Sequence, residues 1–528
     1  TSNPTLLENS KKGKYTETRG EERQTYGDVM LNISKTFKEK FALDAHIGAS
    51  IKDNRFDELS VYGPIAGAPN IFNVVNLDKS QKKTPKTGWH EQTQSFFYSL
   101  ELGWKSQLFV TTTGRNDWAS QLANSPQKSF FYPSVGVSWL PSSTFNFPEK
   151  FNYLKIRASW ASVANPFPRE LTIATHPYDD TISGWDDKSN YPIGQLYPER
   201  TKTWELGFDA RFLNGFTLTA SWYRADTYNQ TFNPNLSASS GYSDIYIQTG
   251  HVRNTGVEAS LGYNHQWKNW NWNSQFTFSW NKNKIIELCK EWYNPITEET
   301  ITMNRLQISK LGRAKFILKE GGSMGDLYST TDLRRDDKGN IEIDEGGNVV
   351  VEDNLPDMKL GSVFPDYNLA WRNSVSWKNL NLGFLVTARI GGIVNSLTQA
   401  NMDLFGVSEA TAAARDAGGA LVNGRSLVNP ETWYTAIASQ GGIPQYYTYS
   451  ATNVRLQELS LGYTIPRKWL HNVCSITVSF VGRNLWMMYC KAPFDPEAVA
   501  STNNFYQGMD YFMMPSTRNL GFNINIKF

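Results

Sequence analysis

The amino-acid sequence predicts an all-β protein whose strands form an antiparallel transmembrane β-barrel. Three observations lead to this prediction. Apolar and polar residues alternate with a period of two in about fifteen segments. The links between these segments are short and long in turn, and the chain ends on an amphipathic segment whose last residue is Phe528. Such features are typical of a sheet with one face toward lipid and the other toward a polar lumen.

Each predicted strand is recognised by its alternation. Around residues 202–212, for example, Trp204, Leu206 and Phe208 oppose Glu205 and Asp209. Strict alternation over about ten residues predicts a strand with one apolar and one polar face. The predicted strands lie near residues 24–37, 39–52, 94–104, 106–115, 130–140, 152–163, 202–212, 215–228, 252–266, 271–284, 366–377, 379–391, 452–464, 473–484 and 517–528.

The predicted links fall into two classes. Short links lie near residues 38–39, 105, 214, 268–270, 378 and 465–472, and 141–151 is the longest of this class. Long links span residues 53–93, 116–129, 164–201, 229–251, 285–365, 392–451 and 485–516. Transmembrane barrels sort their links in this way, with short periplasmic turns and long extracellular loops. Seven aromatic residues beside the short links suit a periplasmic girdle: Trp104, Trp139, Phe212, Phe216, Trp267, Trp272 and Trp377.

The composition argues against several other classes of protein. Lys and Arg number 52 and Asp and Glu 50, a net charge of +2 without a basic tract, so no nucleic-acid partner is expected. No apolar run reaches the roughly 18 residues of a spanning helix. The three cysteines, Cys289, Cys474 and Cys490, match neither a disulfide framework nor a metal motif. No catalytic motif is present, so the sequence predicts no enzyme, cofactor or metal.

The acidic segment 334–348 is similar in composition to a calcium-binding loop. Its acidic residues lack the EF-hand spacing, which requires acidic positions at alternate residues and a distant Glu. Two Gly-Asn pairs flank the short segment 341–343, and we therefore predict a surface hairpin with tight turns there.

The last predicted strand resembles the C-terminal signal read by the outer-membrane barrel assembly machinery. Its apolar face comprises Leu520, Phe522, Ile524, Ile526 and Phe528. Further segments resemble those of SusC-like TonB-dependent outer-membrane transporters. In chain order they are GRNDW (Gly114–Trp118), YPSVGVSW (Tyr132–Trp139), LKIRASWASVAN (Leu154–Asn165), YPERTKTWELGFDARFLNG (Tyr197–Gly215), VRNTGVEASLGY (Val252–Tyr263), GGSMGDLY (Gly321–Tyr328), VRLQELSLGYTIP (Val454–Pro466), GRNLW (Gly482–Trp486) and LGFNINIKF (Leu520–Phe528).

This resemblance implies a domain organisation. Members of the family have a signal peptide, a TonB-contacting segment and a plug domain, followed by a barrel of roughly 22 strands around the plugged lumen. We expect residues 24–528 to be the C-terminal part of such a barrel and residues 1–23 to be a loop or linker entering it. The plug and the first strands are expected upstream, because an open sheet edge in a bilayer is costly.

The resemblance also implies a function. Family members actively import large nutrients across the outer membrane of Gram-negative bacteria, with a SusD-like surface lipoprotein as a lid and energy from the TonB complex. A glycan is the expected substrate. Three alternatives stay open: a SusC-like importer of peptides, a passive outer-membrane porin, and a soluble glycan-binding β-protein.

Two groups of residues are candidates for functional roles. Charged residues on polar strand faces are expected to line the lumen or contact a plug, or simply to be solvated: Glu101, Lys155, Arg157, Glu205, Asp209, Arg211, Glu258 and Arg389. Residues in the predicted long loops are expected to bind sugar rings or the lid, or else to pack the loops together. They are Asp117, Trp118, Trp185, Tyr191, Trp433, Tyr446, Tyr447 and Tyr511, with Asp186, Asp187 and Asn190 near Trp185 and Tyr191.

Overall fold

Fifteen strands form one antiparallel sheet in which each strand pairs with its neighbours in chain order. The computed structural model describes residues 12–169, 171, 178–179, 184–185, 190–191, 196–232, 244–248, 250–294, 298–501 and 506–528. We number the strands of this sheet β1 to β15. They are Lys14–Phe37, Phe41–Pro64, Lys86–Trp104, Leu108–Ala119, Phe130–Trp139, Phe151–Asn165, Glu199–Phe212, Phe216–Tyr228, His251–Trp267, Trp270–Glu287, Tyr367–Trp377, Leu380–Ile390, Asn453–Ile465, Ser475–Cys490 and Asn519–Lys527. All fifteen predicted strands are confirmed.

The first strand begins earlier than the sequence predicts. Residues 14–23 were expected in a linker, but they continue β1 and pair in register with residues 55–64 of β2. Polar residues occupy both faces of this segment, as its sequence KYTETRGEER shows. Because hydrophobic alternation marks a strand only where one face is apolar, it cannot reveal such an extension. The predicted start of the first strand at residue 24 is therefore corrected to Lys14.

Three of the short turns use a left-handed backbone without glycine. Positive φ values occur at Lys38 and Glu39, at Lys105 and Ser106, and at Leu213 and Asn214. Two consecutive residues of this kind form the turn that best matches the twist of a hairpin. Most of these residue types rarely adopt positive φ, so tight hairpin geometry holds them there at a cost in strain.

The long links contain their own secondary structure. One four-stranded sheet comprises Arg305–Leu311, Ala314–Lys319, Asp326–Ser329 and Met358–Ser362. Three helices, Leu397–Leu404, Glu409–Asp416 and Pro430–Ala438, begin at residues whose side chains accept backbone N–H groups of the first turn, namely Ser396, Ser408 and Asn429. Such caps satisfy donors that a helix cannot pair internally. A three-stranded sheet joins Ile393–Ser396, Thr448–Ser450 and Met509–Asp510, which come from two different links.

No helix within the described ranges is long and apolar enough to cross a membrane.

The buried apolar clusters lie mainly in these links and the adjoining strand ends. One contains Leu333, Val349, Ala400, Ile437, Ala438, Ile443 and Tyr447, and another Ala314, Phe316, Leu327, Val363, Leu397 and Met509. They unite the links 288–366, 391–452 and 491–518 into a body that we call the loop cap. The apolar faces of the strands are instead exposed, as at Leu206 (53%) and Phe522 (79%). Apolar surface on this scale indicates an apolar partner, which lipid provides.

Aromatic residues border the exposed apolar face at both ends. The predicted girdle residues beside the short turns share this face, and several contact one another, as Phe212 does Phe216 at 5.7 Å between ring centroids. A second row near the long links contains Trp160, Trp204, Trp222 and Trp280. Trp204 and Phe212 are eight residues apart on β7. That is about 26 Å along a strand, or about 20 Å in height at the usual tilt, close to the apolar band of about 25 Å in membrane barrels.

Candidate functional site

The polar strand faces form one continuous wall. Directly paired residues in an antiparallel sheet lie on the same face. A single row crosses β6 to β13 through Arg157, Gly207, Ser221, Glu258, Ser279, Asn368, Arg389 and Asn453. Six of these residues, Arg157, Ser221, Glu258, Ser279, Asn368 and Arg389, line a concavity of about 670 Å³. Three predicted lumen residues, Arg157, Glu258 and Arg389, therefore share one concave surface.

A compact charge cluster lies on this wall. The Arg157 guanidinium donates to Asp209 Oδ2 at 2.9 Å, and its Nε lies 3.5 Å from Glu205 Oε1. Gly207 lies between the two acidic residues and directly opposite Arg157. A Cβ at Gly207 would lie 2.8 Å from the guanidinium carbon, so the glycine makes room for the arginine to lie across its strand. Three predicted lumen residues are thus brought together, and Thr219 donates a further hydrogen bond to Asp209 at 2.8 Å.

The other predicted lumen residues lie on the same face but apart from this cluster. Glu101 accepts a hydrogen bond from Thr111 at 3.2 Å. The Arg211 guanidinium lies 4.8 Å from the centroid of the Tyr153 ring. Arg389 donates from Nη2 to the carbonyl oxygen of Val363 at 2.8 Å, whereas its buried Nε has no hydrogen-bond partner among the described residues.

The sequence did not reveal a buried ion cluster at the first residues of β13, next to the link 391–452. Arg455 donates to Asp495 at 2.8 and 3.2 Å and lies 3.3 Å from Glu497. The side chains of Arg455 and Asp495 are only 6% and 9% exposed. Burial raises the pKa of Asp495, but the hydrogen bonds from Arg455 outweigh this effect, so the pKa lies below its ordinary value. This cluster fixes the root of the link 491–518 to the wall.

Irregular pairing explains why Arg455 was missed. The register of β13 shifts between Leu456 and Glu458, where one strand carries an extra residue. A β-bulge reverses the alternation of faces beyond it. Arg455 therefore lies on the polar face although it is an odd number of residues from Glu458, and its partner Asp495 is 40 positions away.

Three predicted contact residues meet inside the loop cap. Tyr447 is 2% exposed, and its hydroxyl donates to Asp403 Oδ2 at 3.0 Å. Burial raises the pKa of Tyr447 above its ordinary value, and the carboxylate of Asp403 adds to this effect. Trp433 and Tyr446 pack edge to face at 5.9 Å, against the same cluster. Tyr447 is thus an internal packing residue of the cap in this structure, and Trp433 and Tyr446 are only partly accessible.

Two further contact candidates lie in a strand and not in a loop. Asp117 and Trp118 belong to β4, so their side chains point to opposite faces. Asp117 is 8% exposed on the wall side and accepts hydrogen bonds from Arg115 at 2.8 Å and Tyr132 at 2.6 Å. Trp118 is 47% exposed on the apolar face. The predicted loop position of this pair is therefore corrected, and Trp118 does not face the lumen.

The remaining candidates are scattered. Tyr511 is 49% exposed and packs on Phe512 at 5.2 Å, next to a buried hydrogen bond of 2.6 Å from Ser396 to Asp510. The backbones of Trp185 and Tyr191 lie in the short strands Gly184–Trp185 and Asn190–Tyr191, and their side chains fall outside the described residues, as do Asp186 and Asp187. The apolar residues of β15 are exposed: Leu520, Phe522, Ile524, Ile526 and Phe528.

The acidic segment 334–348 forms the predicted tight turns. Asp336 accepts the backbone N–H groups of Lys338 and Asn340 at 2.9 and 2.8 Å, and Asp344 accepts that of Asn348 at 2.8 Å. Side-chain and backbone hydrogen bonds from Asn340 lower the pKa of Asp336. Within the described part of the chain, no group of three or more His, Cys, Asp or Glu side chains is placed to hold a metal ion.

Comparison with known proteins gives consistent matches. Residues 3–485 match the family model described as TonB dependent receptor-like, beta-barrel. The chain is 26% identical to TonB-dependent receptor P3 of Formosa agariphila, over 99% of this chain and 55% of that protein. It is 22% identical to TonB-dependent receptor SusC of Bacteroides thetaiotaomicron, over 71% of this chain and 38% of that protein.

Solved structures agree with the sequence matches. The RagAB peptide importer in its open-open state superposes with a TM-score of 0.78 at 18% identity, over 98% of this chain and 56% of that chain. Its closed-closed state gives a TM-score of 0.76 at the same identity, over 97% of this chain and 56% of that chain. The chain spans about half the length of TonB-dependent receptor P3 and of the RagAB chain.

Proposed function

Because this chain belongs to the TonB-dependent receptor-like β-barrel family, whose members are outer-membrane transporters and receptors and not enzymes, we propose that it forms part of the wall of an active nutrient importer. The proposed substrate is a large oligosaccharide. A SusD-like surface lipoprotein delivers it from outside, and the TonB complex supplies the energy from the periplasmic side. The predicted family resemblance and the predicted barrel fold are both confirmed.

The polar wall is the observation that carries this proposal. Its concavity is lined by four charged residues and by six hydroxyl side chains, those of Thr219, Ser221, Ser260, Thr277, Ser279 and Thr387. Asn368 and Gln457 add amide groups. Hydroxyls and amides both donate and accept hydrogen bonds, as sugar hydroxyls do. A wall of this kind lets an oligosaccharide exchange one set of hydrogen bonds for another as it moves.

The loop cap supports the proposed partnership with a lipoprotein. Two apolar clusters fix the positions of the three links that form the cap. A surface with its own core is preorganised and does not have to order itself when a partner docks. Phe405 and Val407 at the end of one cap helix are 74% and 72% exposed, which gives the cap apolar contact area.

Import of peptides is the second candidate function. The RagAB structures are described as those of a peptide transporter and importer, and their fold is similar to this one over nearly the whole chain. At 18% identity this similarity concerns the fold alone. The charged residues Arg157, Glu258, Arg389 and Glu497 in the same concavity would suit the polar groups of a peptide.

Uptake by cells that make the full-length protein and its lipoprotein partner tests the proposal. We expect labelled oligosaccharides to accumulate, and accumulation to stop when the proton gradient is dissipated. Thr277→Val with Ser279→Val should slow uptake, because both hydroxyls line the concavity. Phe276→Leu is the matched control, because Phe276 lies next to Thr277 on the lipid face and does not line the concavity. Uptake of peptides alone would favour the second candidate, and uptake that survives loss of the gradient would indicate a passive pore.

A further inference from the structure

The lipid face of four adjacent strands changes abruptly from apolar to cationic near the long links. On β7, Trp204 is followed toward that end by Lys202 and Arg200. The same change runs from Trp222 to Arg224 on β8, from Val257 to Arg253 on β9, and from Trp280 to Lys282 and Lys284 on β10. We call these six basic residues the outer cationic patch: Arg200, Lys202, Arg224, Arg253, Lys282 and Lys284.

The strand register brings these residues together. Lys202, Asp226, Arg253 and Lys284 are paired in one row across β7 to β10. The adjacent row contains Trp204, Arg224, Thr255 and Lys282. Both rows lie on the face that carries the tryptophans and not on the polar wall. The patch is therefore contiguous and borders the upper aromatic row directly.

The acidic residues on this surface do not balance the patch. Asp226 is already occupied, because it accepts hydrogen bonds from Arg224 at 2.9 Å, Arg253 at 2.7 Å and His251 at 2.6 Å. Glu287, opposite His251, is the other carboxylate paired onto this face. Among the described residues of β7 to β10, six basic side chains thus face two carboxylates on this surface. Lys282 and Lys284 are exposed and form no ion pair within the described ranges.

The two kinds of basic side chain have different mobility. Arg200 is fixed by hydrogen bonds to the carbonyl oxygen of Phe131 at 3.1 Å and to Ser162 at 2.9 Å. Asp226 holds Arg224 and Arg253 through one nitrogen of each, so their other N–H groups stay available. Arginine presents its donors in a fork that fits two oxygens of a phosphate group, and lysine adds a flexible point charge. The patch thus combines arginines held by hydrogen bonds with lysines that form no ion pair among the described residues, and Lys202 lies 5.3 Å from the centroid of the Tyr228 ring.

The position of the patch indicates what it meets. A surplus of charge on the lipid face is costly in the hydrocarbon region but tolerated at the interface. Tryptophans mark that interface, and the patch begins one or two residues beyond them. The neighbouring strands β11 and β12 end level with Trp280, at Tyr367 and Ile390, so the paired rows that form the patch end at β10.

We propose that the outer cationic patch binds the phosphate groups of a phosphorylated glycolipid in the outer leaflet of the membrane. Continuity with the tryptophan row favours a lipid over a protein partner, because acyl chains of the same molecule would cover the exposed Trp204 and Trp222 below the patch. Phosphates would then be shared between the held arginines and the lysines. This proposal does not depend on the identity of the imported substrate.

Lipid retention by the purified full-length protein tests the proposal. The protein is reconstituted into phosphatidylcholine nanodiscs that contain either phosphorylated lipid A or phosphatidylglycerol at equal charge, and the lipid held next to the barrel is quantified. The test variant replaces Lys202, Lys282 and Lys284 by Gln. The control variant replaces Lys38, Lys105 and Lys378 by Gln, which removes three positive charges at the short turns of the opposite rim.

We expect the wild-type protein and the control variant to retain lipid A in preference to phosphatidylglycerol. The test variant should bind it on the order of 100-fold more weakly, because each basic residue near an anionic surface contributes about fivefold. Unchanged electrophoretic mobility before heating will show that each variant forms a folded barrel. Equal lipid A retention by the test variant and the wild type would overturn the proposal. Equal retention of the two anionic lipids would overturn the assignment to a glycolipid.

Discussion

The buried pair of Arg455 and Asp495 predicts how firmly the link 491–518 is held. Arg455→Met removes the cation that faces Asp495 at 2.8 Å and Glu497 at 3.3 Å. Asp495 is then left as a buried carboxylate without its partner. Breaking a buried ion pair from one side costs about 3–5 kcal/mol. If the root of this link opens locally, its open population should rise by a factor of about 100–4,000, at 1.4 kcal/mol for each factor of ten.

Limited trypsin digestion of the full-length protein measures this population. Lys491 lies at the root of the link, so cleavage there reports its opening, and we expect the rate to rise by the same factor where opening precedes cleavage. Glu458→Gln is the matched control on the same strand face, because the ion pair of Glu458 with Arg483 is exposed and contributes about 0–1 kcal/mol. Adding Asp495→Leu to Arg455→Met should restore much of the protection, because no buried charge remains. Equal cleavage of the Arg455→Met variant and the wild type would refute the reasoning.

Three further predictions follow from the wall and the cap. Gly207→Val should displace the Arg157 guanidinium, because the added Cβ would lie 2.8 Å from its central carbon. We expect this variant to unfold faster on heating in a gel-shift assay. Gly521→Val is the control that should be tolerated, because nothing lies within 4 Å of its Cβ position. Phe208→Arg places a charge near the middle of the lipid face and should destabilise the barrel by about 2–4 kcal/mol. Ser221→Arg places the same charge on the polar wall and should be tolerated. Equal urea unfolding midpoints for the two variants would contradict the assignment of faces. Hydrogen bonds from Arg305 hold the pKa of Asp357 well below its usual range. Because the folded-state pKa is the lower one, the stabilisation is complete above about pH 5 and is lost as the pH falls below the unfolded value of about 3.9. The hydrogen-exchange protection factors of residues 305–319, which compare the observed rate with the intrinsic rate at each pH, should therefore fall on acidification. Asp357→Asn should abolish this dependence.

The strands could be predicted because two different surroundings act on their two faces. Lipid selects Leu206 and Phe208 on one side of β7, and water in the lumen selects Glu205 and Asp209 on the other. Wherever both faces are polar, as in residues 14–23, this selection leaves no period, and the strand could not be recognised. Where a bulge interrupts β13, the period is present but its phase changes, so Arg455 could not be assigned to a face.

The site itself could be predicted only in part. Alternation placed Arg157, Glu205 and Asp209 on the polar face, but their contact depends on the register between β6 and β7 and on the room above Gly207. Pairing across strands is set by the whole sheet and has no local sequence signal. The loop cap could not be predicted for a similar reason. The sequence suggests that Tyr447 is an exposed loop aromatic, because the residues that bury it in the structure come from distant links.

The location of the apolar clusters bears on how such proteins diversify. Met509 packs with Leu397 and Phe316, so a single cluster draws on three segments that are up to about two hundred positions apart. Exchanging one of these segments between related chains would leave holes or clashes in the other two. We expect the three segments to be inherited as a unit, so that new specificities arise through replacement of the whole loop cap. The barrel strands below the cap can change independently of it.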